Sequence, residues 1–268
     1  MKKINSILFL VAVIALSGCN KFLDRQPLDS ASSATFMQTE EEMNLALNGV
    51  YAASFWQFPN NTPLLFAIEA TTDLAIKRTG NAEDQVAMGD GGPFLIGNSL
   101  PGTAWNQAYK LVTRANIMLD GMTKGQGNVA AARYARLRAE ALVLRAWGYY
   151  YIMGWFGDPV YFRKPLAPSE YETIARTPVA TVVADLYKDL DEAAAGFDAS
   201  SSAPVIEYGR VNKGVALGLK ARLAMLIKDY ATAKNATQAI ISSNAYGLNP
   251  RYTDLFMLAG QRTNTNRE

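Results

Sequence analysis

Ala141-Leu142-Val143-Leu144-Arg145-Ala146 and Ala216-Leu217-Gly218-Leu219-Lys220-Ala221 are two versions of one phrase, and their reading decides the fold. Each sets apolar residues three and four apart, which gathers them on one helical stripe, with small residues where a neighbouring helix can come close. Outward from the first phrase, Tyr134, Leu137, Ala141, Leu144, Gly148 and Tyr151 keep the helical period as far as Gly154, and Gly157-Asp158-Pro159 breaks it. Around the second, Asn212 stands where a cap is needed, Ala216, Leu219, Leu223 and Leu226 form the stripe, and Asp229 is placed to cap another helix through Tyr230, Ala233, Thr237 and Ile240.

The remaining segments repeat the pattern. Thr39 with Glu42 three residues on forms a capping box ahead of Met43, Leu47, Val50 and Tyr51. Thr62-Pro63 predicts a second helix, running through Leu65, Ile68 and Glu69 toward Ile76. Residues 77–102 read as a long polar, glycine-rich loop, a length uncommon unless it serves a purpose. Trp105, Ala108, Tyr109, Val112, Ala115, Asn116 and Leu119 share one face of a helix that Gly121 ends, and Thr177-Pro178 start another through Val182, Leu186, Leu190 and Phe197. Only short extended pieces, at 159–162 and 204–208, interrupt the helices, so the class is all-α. The two phrases lie close to two tetratricopeptide lengths apart, at about 34 residues each, which suggests a stacked superhelix; a phrase of that kind is also simply good for one helix.

Ahead of the helices, Lys2 and Lys3 precede the apolar run Ile7 to Leu16, followed by small residues and Cys19. This is the order of a secretory signal, and the run is about half the length that spans a bilayer. Leu16-Ser17-Gly18-Cys19 resembles a bacterial lipobox. That resemblance implies cleavage before Cys19, a diacylglyceryl thioether on its sulfur and an acyl chain such as palmitate on the new amino group. Residues 1–18 are then the lipoprotein signal peptide and 19–38 a lipidated tether. Several acyl chains hold a soluble domain to a membrane, at about 0.8 kcal/mol per buried methylene.

Composition closes off several function classes. The chain has 26 Lys+Arg against 24 Asp+Glu, and loss of Lys2 and Lys3 with the signal balances them, so nothing advertises the surplus cations that nucleic acid requires. With no histidine and a single cysteine, Cys/His zinc sites, Ser-His-Asp triads and Cys-His pairs are excluded on inventory. No metal site and no cofactor are expected. Carboxylates, Lys and Tyr remain for acid-base work.

A set of phrases in order resembles the SusD/RagB family of outer-membrane lipoproteins of Bacteroidetes. Cys19 with Phe22-Leu23-Asp24 is similar to the family's mature start, and Trp105, Tyr109 and Arg114-Ala115-Asn116 to its W-x3-Y-x4-RAN helix. Glu140-Ala141, Leu144-Arg145-Ala146, Tyr149 and Phe156-Gly157-Asp158-Pro159 resemble its EA-x2-LRA-x2-Y helix and the turn after it, and Gly209-Arg210, Lys220-Ala221-Arg222 and Asp229-Tyr230 its later repeats. The resemblance implies a tetratricopeptide-like superhelix, lipid-anchored and surface-exposed at the outer membrane. It also implies binding of a glycan or other oligomeric nutrient, uptake through a TonB-dependent (SusC-like) transporter, and no catalysis. Family members are about twice as long, so residues 39–268 are expected to be the N-terminal α-helical domain, with the C-terminal half of the family missing.

Sugar rings stack on aromatic faces and need polar partners, which singles out Phe55-Trp56-Gln57-Phe58, with Trp56 as the platform, and Asp73, Lys77 and Arg78 at the mouth of the long loop. The plainer reading packs Trp56 on a helix and leaves Lys77 and Arg78 solvated. Tyr149, Tyr150, Tyr151, Trp155 and Phe156 resemble a platform, but their helical spacing suits packing. Arg114 and Arg145, set in apolar helices, are expected to make buried or half-buried hydrogen bonds to loop carbonyls or carboxylates. Two rival functions stay open: a glycosidase-like carboxylate pair drawn from Glu69, Asp73 or Asp158, which would need the two groups about 5–9.5 Å apart, and a periplasm-facing scaffold that binds only proteins.

Overall fold

The computed structural model describes residues 36–58, 62–63, 69, 72–74, 99–199, 209–248, 251–253 and 257. The chain divides after Phe36, and Met37 onward forms one unit. Among the described residues six α-helices build it: α1 (Glu40–Ser54), α2 (Ser99–Gly121), α3 (Ala131–Phe156), α4 (Val179–Ala199), α5 (Lys213–Leu226) and α6 (Tyr230–Ser242). Each packs on the next, and α3 also touches α1 and α5, the arrangement of a tetratricopeptide-like superhelix.

The helix ends follow from local chemistry. At α1 the Thr39 hydroxyl accepts from the Glu42 amide at 3.3 Å, and the Glu42 carboxylate accepts from the Thr39 and Gln38 amides at 3.2 and 2.8 Å. Asn212 accepts from the Val215 amide at 3.2 Å to start α5, and Asp229 from the Thr232 amide at 3.1 Å to start α6. The first turn of α4 is capped from a distance. Asp158, in the turn that ends α3, accepts from the Val179 amide at 2.9 Å, while Gly157 takes φ 72° to end α3, a conformation that favours glycine.

Two expectations are corrected. Thr62-Pro63 does not open a helix; it pairs antiparallel with Gln57–Phe58 in a two-residue ladder, where proline's missing N–H costs little at an edge. The two matching phrases lie in α3 and α5, one helix pair apart rather than two tetratricopeptide units apart. The offset is large because α3 has 26 residues, α4 has 21, and a long connector joins them. That connector is irregular, with a 3-10 turn at Pro168–Glu170, and forms an isolated bridge between Val160 and Arg176. The glycine-rich stretch gives way to helix at Ser99, within the 77–102 region; residues 77–98 and 204–208 lie outside those described.

α3 is the central post. From Leu137 to Met153 it is buried almost all round, as a helix enclosed by others must be. Its neighbours come close because two crossing points lack a side chain. A Cβ on Gly148 would meet Val112 Cγ2 of α2 at 2.8 Å, and one on Gly196 of α4 would meet the Ala135 carbonyl oxygen of α3 at 2.8 Å.

Two polar networks cross this core. Arg145, 3% exposed, donates to Asp189 at 2.7 and 3.2 Å and to the Asn116 amide oxygen at 3.0 Å, and Arg163 donates to the other Asp189 oxygen at 2.5 Å. Asn116 in turn donates to the Phe162 carbonyl at 3.0 Å, and the Tyr149 hydroxyl both donates to that oxygen and accepts from the Phe162 amide, at 2.8 and 2.9 Å. The connector is thus fastened to α2, α3 and α4. The second network centres on Glu140, fully buried, which accepts from the Tyr51 hydroxyl at 2.7 Å, Arg210 at 3.1 Å and Arg136 at 3.3 Å. It fixes α1 and the approach to α5 onto α3. The expected role of Arg145 is thereby met, and Arg114 donates to the Gly49 carbonyl at 2.9 Å from an exposed position.

Candidate functional site

The residues singled out for binding go to different places. Cys19, Lys77 and Arg78 lie outside the described residues. Asp73 is exposed in a turn in which Leu74 N donates to the Thr72 hydroxyl at 3.2 Å. Trp56 is corrected from a platform to a packing residue: it is 3% exposed, its indole N–H donates to the Ala53 carbonyl at 2.9 Å, and its ring meets Tyr151 edge-on at 4.8 Å. The apolar environment takes the ring because its one donor is satisfied within its own turn. Its neighbour Phe55 is the ring left in solvent, at 67% exposure.

The candidate carboxylates for hydrolysis do not converge on a described cleft. Asp158 is committed to capping α4 and sits in a turn whose Phe156 and Asp158 carbonyls accept from Arg176. Among the described residues no group of three or more metal-donor side chains occurs. None of the described helices is long and apolar enough to cross a membrane.

What the fold does bring together is a ledge of rings along the last turns of α3. Trp147 stacks on Tyr151 at 6.4 Å, Tyr151 meets Tyr150 at 5.5 Å and Trp155 at 4.9 Å, and Phe156 continues the row to Trp105 of α2 at 5.2 Å. The row is not core throughout. Tyr149 points inward and is fully buried, whereas Trp147, Tyr150 and Tyr151 are half-buried and Trp155 is 40% exposed.

Beside the ledge α3 and α5 diverge into a groove of about 320 Å³. Trp147, Tyr150 and Tyr151 form one wall; Val215, Gly218, Leu219 and Arg222 form the other. The walls follow from spacing, since 147, 150 and 151 and then 215, 218, 219 and 222 fall at successive i, i+3, i+4 and i+7 positions of their helices. The space in front of Gly218 is open, and a Cβ there would meet nothing within 4 Å. A larger cleft of about 550 Å³ lies between α3 and α4 near Thr123, Tyr134, Leu142 and Gly196, but the Arg138–Glu192 ion pair spans its edge and satisfies its charges internally.

Burial raises the pKa values of the hydroxyls that hold this frame. Desolvation pushes Tyr149 and Tyr51 well above the usual phenol value, in the latter case helped by the Glu140 carboxylate, and pushes Tyr109 up to about 12. These hydroxyls are neutral hydrogen-bonding posts across the physiological range. The Tyr109 hydroxyl accepts from the Val160 amide at 2.8 Å and fixes the connector near the ledge.

Sequence reasoning missed Trp147, Gly218 and Arg222 as members of one site. Trp147 carried the signal in its i, i+4 relation to Tyr151, but only the approach of α5 shows that this stripe faces a groove rather than a packed helix.

Comparison with known proteins places this geometry. The family described as starch-binding and associating with the outer membrane, SusD-like, matches residues 21–225. A SusD-like protein (P25) of Formosa agariphila is 25% identical over 96% of this chain and 49% of its own length. The crystal structure of a SusD-like carbohydrate binding protein from Bacteroides fragilis superimposes with a TM-score of 0.72 at 25% identity, covering 82% of this chain and 44% of that one. Surface glycan-binding protein A from Bacteroides thetaiotaomicron, solved in complex with laminarihexaose, shares the fold with a TM-score of 0.65 at 23% identity, covering 83% of this chain and 47% of that one. The chain spans about half the length of the relatives it matches.

Proposed function

The chain belongs to the SusD-like family, and on that premise we propose that it is a glycan-binding, non-catalytic lipoprotein of the outer membrane that hands an oligomeric nutrient to a TonB-dependent transporter. The single observation that carries the binding reading is the half-open aromatic ledge of Trp147, Tyr150, Tyr151 and Trp155 beside the α3/α5 groove. Rings held by packing on one edge and open on the other offer pre-ordered stacking faces to a sugar, at little cost in side-chain entropy. Relatives named as carbohydrate or glycan binders support the substrate class.

Anchoring is through Cys19, with residues 1–18 removed, 19–38 as the tether and 39–268 as the helical domain. Asp73, Lys77 and Arg78 are the further residues proposed to give the ligand polar contacts. The absence of imidazole and free thiol from the sequence is no handicap to a protein that only captures its ligand.

The test is affinity electrophoresis of the chain through gels containing a panel of polysaccharides, with product analysis of the same mixtures. Retardation by at least one polysaccharide without oligosaccharide release, and its loss in Trp147→Ala, is the expected result. Release of products would transfer the reading to a hydrolase, and no retardation by any polysaccharide would end it. Immunoprecipitation from detergent-solubilised outer membranes should recover a TonB-dependent barrel; its absence would remove the transport half of the proposal.

A further inference from the structure

Resting on the glycan-binding reading above, we infer that the α3/α5 groove takes an anionic saccharide, one carrying a carboxylate or a sulfate, and that Arg222 is the residue that recognises the charge. Among the described residues that line the groove, Arg222 is the one charged side chain and none is a carboxylate. Arg222 is exposed, and among the described residues it forms no hydrogen bond or ion pair.

The cations around it are used differently. Lys220, one turn face away, is paired with Asp191 at 2.6 Å and lies over the Tyr187 ring at 5.4 Å, and Lys213 holds Asp198 at 2.6 Å. The α5–α6 hairpin from Lys213 to Ser242 carries Lys213, Lys220, Arg222, Lys228 and Lys234 against a single carboxylate, Asp229, which is spent on capping α6. Arg222, Lys228 and Lys234 outnumber that one carboxylate, so the hairpin is net positive on a chain whose overall charge is nearly balanced.

Geometry decides what kind of anion fits. A guanidinium presents a planar fork of donors that matches the two oxygens of a carboxylate or sulfate. Trp147, Tyr150 and Tyr151 on the facing wall supply the apolar surface for the ring that bears the group. Gly218, in the same wall as Arg222, adds no side chain to the groove. A free inorganic anion would use the fork and ignore the rings. A neutral sugar would use the rings and leave the fork unpaired.

The experiment is calorimetric titration of the chain with short oligogalacturonates, with a sulfated galactan oligosaccharide and with neutral malto-oligosaccharides and laminari-oligosaccharides, each against Arg222→Gln, Arg222→Lys and Gly218→Phe. Circular dichroism checks that each variant is folded. The expected result is binding of an acidic sugar in preference to the neutral ones, weakened about tenfold or more by Arg222→Gln, as removal of a charge-assisted hydrogen bond implies. Arg222→Lys should retain part of it, and Gly218→Phe should abolish it by filling the groove. The carboxylate and sulfate arms identify which anion the fork prefers. Equal affinity for neutral and acidic sugars, or a preference unchanged in Arg222→Gln, overturns the inference while leaving glycan binding intact. No binding of any saccharide overturns both, and binding of free sulfate equal to that of the sulfated sugar, untouched by Trp147→Ala, shows an anion site rather than a sugar site.

Discussion

Replacing Asp189 with Asn should cost about 3–5 kcal/mol of stability, because it leaves a buried guanidinium without its counter-charge. Asp189 is 1% exposed, and the Arg145 side chain it faces is 4% exposed. The exchange keeps the shape but removes the charge that receives Arg145 at 2.7 and 3.2 Å and Arg163 at 2.5 Å. Arg145 is left with neutral acceptors alone: the Asn116 oxygen at 3.0 Å, a long contact to the Arg163 carbonyl at 3.5 Å, and at most the one amide oxygen of the new side chain. Arg163 is half in solvent, so its loss adds little.

A domain of this kind has about 5–15 kcal/mol in hand, so the expected shift is a large fraction of the total. Denaturant titration followed by tryptophan fluorescence reads it as a lower midpoint at an unchanged slope. The control is Lys188→Ala, which removes an exposed pair with Asp185 at 2.9 Å and should cost about 0.5 kcal/mol or less. The double variant Arg145→Met with Asp189→Leu removes both charges together and should recover most of the loss. A cost for Asp189→Asn no larger than that of Lys188→Ala would falsify the claim that the pair is desolvated and shared between α3 and α4.

Four further outcomes are expected. Tyr149→Phe should destabilise by about 1–3 kcal/mol, since the Phe162 amide loses its only side-chain acceptor in a dry environment; equality with wild type in the same titration would show that water reaches the site. Because Tyr149, Tyr51 and Tyr109 have raised folded-state values, the stability they carry is full below the unfolded phenol value near 10 and is lost as pH rises through the folded values, so unfolding above pH 10 should coincide with tyrosinate absorbance; tyrosinate appearing in the intact fold near pH 10 would refute the burial. Gly196→Val should separate α4 from α3 at the Ala135 carbonyl and lower the unfolding midpoint, whereas Gly154→Ala, with open space around it, should raise it slightly by helix propensity; the opposite ranking would contradict the close crossing. Cys19→Ala should release the protein into the soluble fraction, and full retention in the membrane would sink the lipid anchor.

The framework was legible because its signals are local. Thr39 with Glu42, Asn212 and Asp229 cap the helices their positions announce, and Gly157-Asp158-Pro159 ends α3 where three breakers stand together. Thr62-Pro63 misled for the opposite reason. Proline at the start of a helix and proline at the edge of a short ladder look alike in sequence, and the choice was made by pairing with Gln57–Phe58. Asp158 shows a third case, a carboxylate that reads as a free acid near a turn but is consumed by a helix beginning at residue 179, in a contact no window along the chain can reveal.

The site was harder to read for a related reason. Periodicity tells which residues share a stripe on a helix, and stripes on α3 and α5 were visible. It does not tell whether a stripe meets a neighbour or an opening, which depends on how two helices distant in sequence diverge. Trp56 and Trp147 carry the same ring, yet the first is closed in by Tyr151 and Trp155 and the second faces a groove whose other wall holds a glycine. The motifs that mark the family, Asn116, Glu140, Arg145 and Asp158, all turn out to fasten helices and connector together. The residues proposed to meet a ligand, Trp147, Gly218 and Arg222, take no part in those fastenings; Arg222 is exposed and Gly218 has open space around it, while Trp147 stacks on Tyr151. A scaffold of this design can hold its fold while its groove is retuned, so if the proposed site is right, substitution of the exposed Arg222 should alter ligand preference with less than about 1 kcal/mol of change in stability.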